Sequence, residues 1–127
     1  MFAALGVFSM CNCSNLAEAV YCQDSLPGFE QYMNHVDDGN WVELFECREC
    51  SQLWAIDAWE KYQERVAAKM KQKKNWNKAS DEQRKVLLLN ARGGTTGNEC
   101  MKATCNGYAV TGVVFCIEHL FETGARK

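Results

Sequence analysis

The sequence predicts a small α+β domain, and three observations carry that reading. Its 127 residues are 47% apolar and 11% aromatic, enough to bury a core. Two short runs, Trp41-Val42-Glu43-Leu44-Phe45-Glu46 and Gln52-Leu53-Trp54-Ala55-Ile56, are rich in strand-favouring residues and flank a tight turn. From Trp59 to Asn90 the apolar residues recur at helical spacing instead. Residues 1–127 are read as a single compact domain with lobes 10–57, 58–92 and 98–123.

In chain order, the apolar stretch Met1 to Met10 has neither a basic leader nor an Ala-x-Ala-like cleavage site, and it is too short to span a bilayer. A cytoplasmic location without a membrane partner is expected, with Met10 an alternative start to Met1. Ser14 or Asn15 caps a short helix through Cys22, its inner side formed by Leu16, Ala19 and Val20. Leu26-Pro27-Gly28 breaks it, Phe29 to Val36 adds a helical turn or two, and Asp37-Asp38-Gly39-Asn40 turns into the first hairpin strand. Beyond the hairpin, Trp59, Tyr62, Val66 and Met70 form the apolar face of an amphipathic helix that ends in the basic run Lys71-Gln72-Lys73-Lys74-Asn75. Ser80-Asp81-Glu82-Gln83 reads as a capping box that starts the next helix, closed at Gly93-Gly94. Residues 93–98 then form a flexible link. They lack the lysine and preceding strand of a phosphate-binding loop.

Eight cysteines without an export signal point away from disulfides and toward metal. Cys11-x-Cys13, Cys47-x2-Cys50, Cys100-x4-Cys105 and Cys116-x2-His119 are four close ligand pairs, and zinc sites are built from two such pairs. A short loop between two ligands turns both side chains toward one point. The sequence therefore predicts two structural zinc ions, one held by Cys11, Cys13, Cys47 and Cys50 and the other by Cys100, Cys105, Cys116 and His119. Cys22 is an alternative to Cys11 or Cys13. All four positions of each ion are taken by protein, the signature of structural rather than catalytic zinc. With thiolates bound, the formal charge of −2 moves to about −5. The segment Cys100 to His119, with ligands three apart at the start of a helix, resembles a treble-clef-type zinc knuckle, and Cys47-Arg48-Glu49-Cys50 between its two strands resembles a zinc-ribbon hairpin.

Charge is distributed unevenly. Residues 1–47 carry seven carboxylates and no Lys or Arg, whereas Lys61 to Arg92 holds ten cations against three carboxylates. The only histidines are His35 and His119, and no nucleophile with an oxyanion-type element is identifiable, so no enzymatic activity is expected. The acidic half offers a protein-binding face around Asp24, Glu30, Asp37, Asp38, Glu43 and Glu46, with Phe29, Tyr32 and Trp41 as apolar anchors, complementary to a basic cleft. Trp41-Val42-Glu43-Leu44, Cys47-x2-Cys50 and Gln52-Leu53-Trp54-Ala55-Ile56-Asp57 resemble small zinc-binding immunity proteins of bacterial polymorphic toxin systems. That resemblance implies an antitoxin-type inhibitor that occludes the active site of a cognate toxin. The second reading is nucleic-acid binding by the basic segment 61–92, through Lys69, Lys71, Lys73, Lys74, Lys78, Arg84, Lys85 and Arg92 with Trp76 as a stacking platform.

Overall fold

A computed structural model describes residues 11–58 and 64–127. The apolar leader, and Trp59 and Tyr62 of the expected amphipathic helix, lie outside the described residues. The chain runs through strand β1 (Ala19–Tyr21), the single-turn helix α1 (Cys22–Ser25), strands β2 (Met33–Asp38), β3 (Val42–Cys47), β4 (Leu53–Asp57) and β5 (Val66–Met70), helix α2 (Trp76–Arg92), strands β6 (Thr95–Glu99) and β7 (Tyr108–Val110), and helix α3 (Ile117–Glu122). The fold is α+β. Strands β1 to β5 form an antiparallel sheet in the order β1-β5-β4-β3-β2, and β6 pairs with β7 apart from it.

The expected hairpin is β3–β4, in register from Val42↔Asp57 to Glu46↔Leu53. Period-two alternation sends its side chains to two different cores. Phe45, Cys47, Trp54 and Ile56 join Val20, Leu26, Phe29 and Met33 on one face, under the N-terminal segment. Val42, Leu44, Leu53 and Ala55 join Ala68, Met70 and Trp76 on the other, under α2. A third cluster, built on Leu88, Val110 and Leu120, packs the C-terminal unit against α2. Every residue of β4 is buried.

Several expected elements take another form. The helix from Ser14 to Cys22 is replaced by a 3₁₀ turn at Cys13–Asn15 and by β1, whose edge pairing to β5 outweighs local helix propensity. Only Phe29–Gln31 of the next stretch is a helical turn, again 3₁₀. Asp37 and Asp38 belong to β2, and the turn begins at Gly39. Val66 to Met70 is a central strand rather than a helix. The flexible link is β6 over most of its length.

Helix α2 begins at Trp76, four residues before the expected start, and Ser80 lies inside it. Ser80 is fully buried, accepts from Arg84 and donates to Asn77 O at 2.9 Å. Gly39 is required where this helix docks. A Cβ there would stand 2.8 to 2.9 Å from the Asn77 amide and the Trp76 ring.

One buried charge network joins the layers. Asp57, on the α2 side of β4, meets Arg84 Nε at 3.2 Å and Arg126 Nε at 3.0 Å, and its Oδ2 also accepts from Val66 N–H. Arg84 donates further to Ala55 O at 2.7 Å, and Asp81 lies 3.7 Å from its Nη1. Two guanidiniums facing one fully buried carboxylate need that second carboxylate to balance them.

Candidate metal centres

Centre 1 is assembled from two distant stretches. Cys13 opens the 3₁₀ turn two residues after Cys11, while Cys47 ends β3 and Cys50 sits in the turn before β4. That turn is closed by Ser51 N–H to Cys47 O at 3.0 Å, with Ser51 itself left-handed at φ 66°. The four sulfurs all lie within 4.8 Å of one another, and those of Cys11 and Cys50 are 3.4 Å apart. A disulfide would require about 2.05 Å. Four sulfurs at about 2.3 Å from a tetrahedral ion stand about 3.8 Å from each other, so the spacing is that of a metal cage.

Cys22 is excluded from this set. It is buried in α1, and burial, helped by the charge of Asp57, pushes its thiol up to about 12. Within the set, burial drives Cys13 upward, partly offset by the indole N–H of Trp54, which donates to its sulfur at 3.4 Å. Cys11 goes the other way. Desolvation opposes its ionisation, but the Cys13 amide at 3.4 Å and the Cys50 thiol outweigh it.

Centre 2 is local. Cys100 follows β6, Cys105 lies in the loop, Cys116 is the N-cap of α3 and His119 stands in that helix. The Cys105 and Cys116 sulfurs are 3.7 Å apart, and His119 Nδ1 lies 3.2 Å from Cys116 Sγ and 3.5 Å from Cys100 Sγ. For a nitrogen at about 2.05 Å and a sulfur at about 2.3 Å from one tetrahedral ion, the expected separation is about 3.5 Å. Gly107 makes this possible, since a Cβ there would stand 3.0 Å from Cys116 Cβ and 3.5 Å from Cys105 Sγ. Its N–H donates to Cys105 Sγ at 3.3 Å. Desolvation opposes ionisation of Cys100, yet the amides of Cys116 and Lys102 and the His119 ring hold its thiol down at about 6. Centre 1 therefore offers four thiolates, and centre 2 three thiolates and an imidazole, to a metal ion.

The acidic residues separate into groups. A bulge between His35 and Asp37 places Asp38, rather than Asp37, opposite Glu43 across the β2–β3 pair. His35 Nε2 then lies 2.8 Å from Asp38 and 3.5 Å from Glu43, with Trp41 57% exposed at the adjoining turn. Asp37 points instead to α2, where it accepts from Trp76 Nε1 at 3.0 Å, a bond that lowers its pKa. Asp24 and Glu30 lie on α1 and the second 3₁₀ turn, and Arg65 approaches Glu30 at 3.7 Å. Tyr32 packs half-buried against the first core, and Phe29 is inside it.

The basic segment is also redistributed. Arg84 and Trp76 are core residues, so Trp76 offers no stacking face. Lys69 donates to Leu16 O at 2.6 Å and Lys85 pairs with Glu118 at 2.8 Å. No protein-family model matches the sequence, and neither a curated protein nor a solved structure matches it significantly. Among the described residues, no helix is long and apolar enough to cross a membrane.

Proposed function

We propose that the protein is a non-catalytic binding protein stabilised by two structural zinc ions, an immunity or antitoxin-type inhibitor that occludes a basic active-site cleft. The carrying observation is the β2–β3 hairpin, which presents Asp38, Glu43 and the exposed Trp41 together on one edge of the sheet. An aromatic anchor beside paired carboxylates is the chemistry that a cationic groove would recognise. Four Cys or His donors in tetrahedral spacing favour zinc, in a ribbon-like knuckle at centre 1 and a treble-clef-like knuckle at centre 2. Eight cysteines with no disulfide among them suit a reducing, cytoplasmic setting.

The test is affinity capture from the native host with nuclease present, followed by assay of the captured partner's own activity. A stoichiometric partner enzyme acting on nucleic acid or nucleotides, inhibited by the wild-type protein and released by Asp38→Lys/Glu43→Lys, is the expected result. An inhibitory complex unaffected by that double reversal would remove the hairpin from the interface. Recovery of a partner whose activity is unchanged would refute inhibition.

A further inference from the structure

Among the described residues most cations have a partner, and five exposed lysines do not, four of them clustered and the fifth, Lys102, apart from them. Arg48 bonds Asn34 and Gln31 O, Arg65 meets Glu30, Lys69 bonds Leu16 O, Arg84 and Arg126 share Asp57, Lys85 holds Glu118, Arg92 bonds Lys127 O and Lys127 meets Glu64. Lys71, Lys73, Lys74 and Lys78 have no hydrogen-bond or carboxylate partner among the described residues, and all four are exposed. They fall within eight consecutive residues, so four like charges are concentrated where the chain leaves β5 and enters α2.

Two features of the same stretch add to the field. The first turn of α2 contains no acidic residue and Asn75 makes no side-chain cap, so the leading N–H groups of a 17-residue helix carry no cap, with the Asp37 carboxylate reaching the helix start only through the Trp76 indole. Lys71 also lines a recess of about 320 Å³ with Cys50, Ser51, Gln52, Leu53 and Met70, which sets the basic loop against the knuckle of centre 1. The fold thus supplies a fixed support for an otherwise simple lysine loop.

We infer that Lys71, Lys73, Lys74 and Lys78 form a docking surface for the phosphate backbone of a nucleic-acid duplex. The residues between the lysines decide among polyanions. Gln72, Asn75 and Asn77 are amides suited to phosphate and sugar oxygens, and the stretch exposes no apolar side chain of the kind that enters a lipid interface. With Trp76 buried, no aromatic platform is available to splayed single-stranded bases. The surface reads charge and spacing but not sequence. It adjoins the hairpin turn, where Asp37 accepts from Trp76 and Gly39 packs on Asn77, but it uses other side chains and does not depend on the inhibitor reading.

The experiment is fluorescence anisotropy of the metal-loaded full chain with a labelled mixed-sequence DNA duplex between 50 and 200 mM salt. Four phosphate contacts give a log–log salt slope of about −3.6, which is a loss of affinity of about 150-fold over that range. Lys73→Ala/Lys74→Ala/Lys78→Ala should flatten the slope by about 2.7, whereas Lys102→Ala, an exposed cation elsewhere, leaves it unchanged. A circular-dichroism melt identical to wild type establishes that the triple variant is folded. A triple variant with the wild-type slope overturns the proposal. So does a wild type that prefers phosphatidylserine vesicles or polyglutamate to the duplex at equal charge.

Discussion

The two candidate metal centres have similar donor sets, four cysteines in one and three cysteines with a histidine in the other, and differ in what they tie together. Centre 1 joins Cys11 and Cys13 to a hairpin more than thirty residues away, whereas centre 2 takes all four donors from residues 100–119. Treated as cross-links, they restrict the unfolded chain by about 4 and about 3 kcal/mol, too close to distinguish them. The surface behind each one does. Centre 1 holds the segment that covers Phe45, Trp54 and Ile56 on one face of the sheet, while centre 2 organises a unit that packs on the outer side of α2. Similar donor sets thus have unequal structural reach.

The sharpest way to break that contrast is to remove one ligand from each centre. Cys47→Ala should abolish cooperative unfolding, because the first core loses both its metal and its cover, and structural zinc contributes on the order of 10 kcal/mol in small domains. Calorimetry of the metal-treated variant checks this, and a single sharp transition near that of wild type would show that the N-terminal layer stands without its ion. Cys116→Ala should lower the metal content to one ion per chain and strip hydrogen-exchange protection from residues 95–127 while leaving β3, β4 and β5 protected. Loss of protection across both regions would mean that they open as one unit.

A smaller effect tests the joint between them. Arg126 comes from the C-terminal unit and Arg84 from α2, yet both meet Asp57 of the sheet. Arg84→Met leaves a fully buried carboxylate short of one partner and should cost about 3 to 5 kcal/mol in a urea melt. Arg126→Met should cost less, and a non-additive double variant would show that the two guanidiniums act through the same carboxylate.

This comparison was also unevenly legible. Both Cys/His clusters that could hold a metal were legible from pair spacing, since Cys47-x2-Cys50 and Cys116-x2-His119 are local geometric statements. The hairpin was legible for the same reason, its alternation being local. Strand β5 was not. Val66-Ala67-Ala68-Lys69-Met70 is buried on both faces of the sheet, so it shows no alternation, its Val66 and Met70 fit helical spacing with Trp59 and Tyr62 upstream, and its alanines favour helix. Arg84 and Trp76 read as surface residues because nothing in the sequence marks Asp57 and Asp37 as their partners. The acidic residues are spread over several elements: a bulge turns Asp37 toward α2 and Asp38 toward Glu43, while Asp24 and Glu30 lie on α1 and the second 3₁₀ turn, a placement that only the tertiary fold sets.

The finest test lies in one hydrogen bond. Trp54 is fully buried, and its indole N–H donates to Cys13 Sγ at 3.4 Å; centre 2 draws its N–H donors from the backbone instead. Trp54→Phe keeps an aromatic ring in the core but removes that donor from a sulfur that burial already pushes toward its protonated form. Loss of the bond and a small residual cavity together should cost about 2 kcal/mol. Metal affinity at centre 1 should fall about tenfold, the usual scale for a lost outer-shell partner. Stepwise chelator titration then releases one ion earlier than in wild type while the second is unmoved. If both ions shift together, the two centres communicate through α2, and their apparent independence in donor set conceals a common stability.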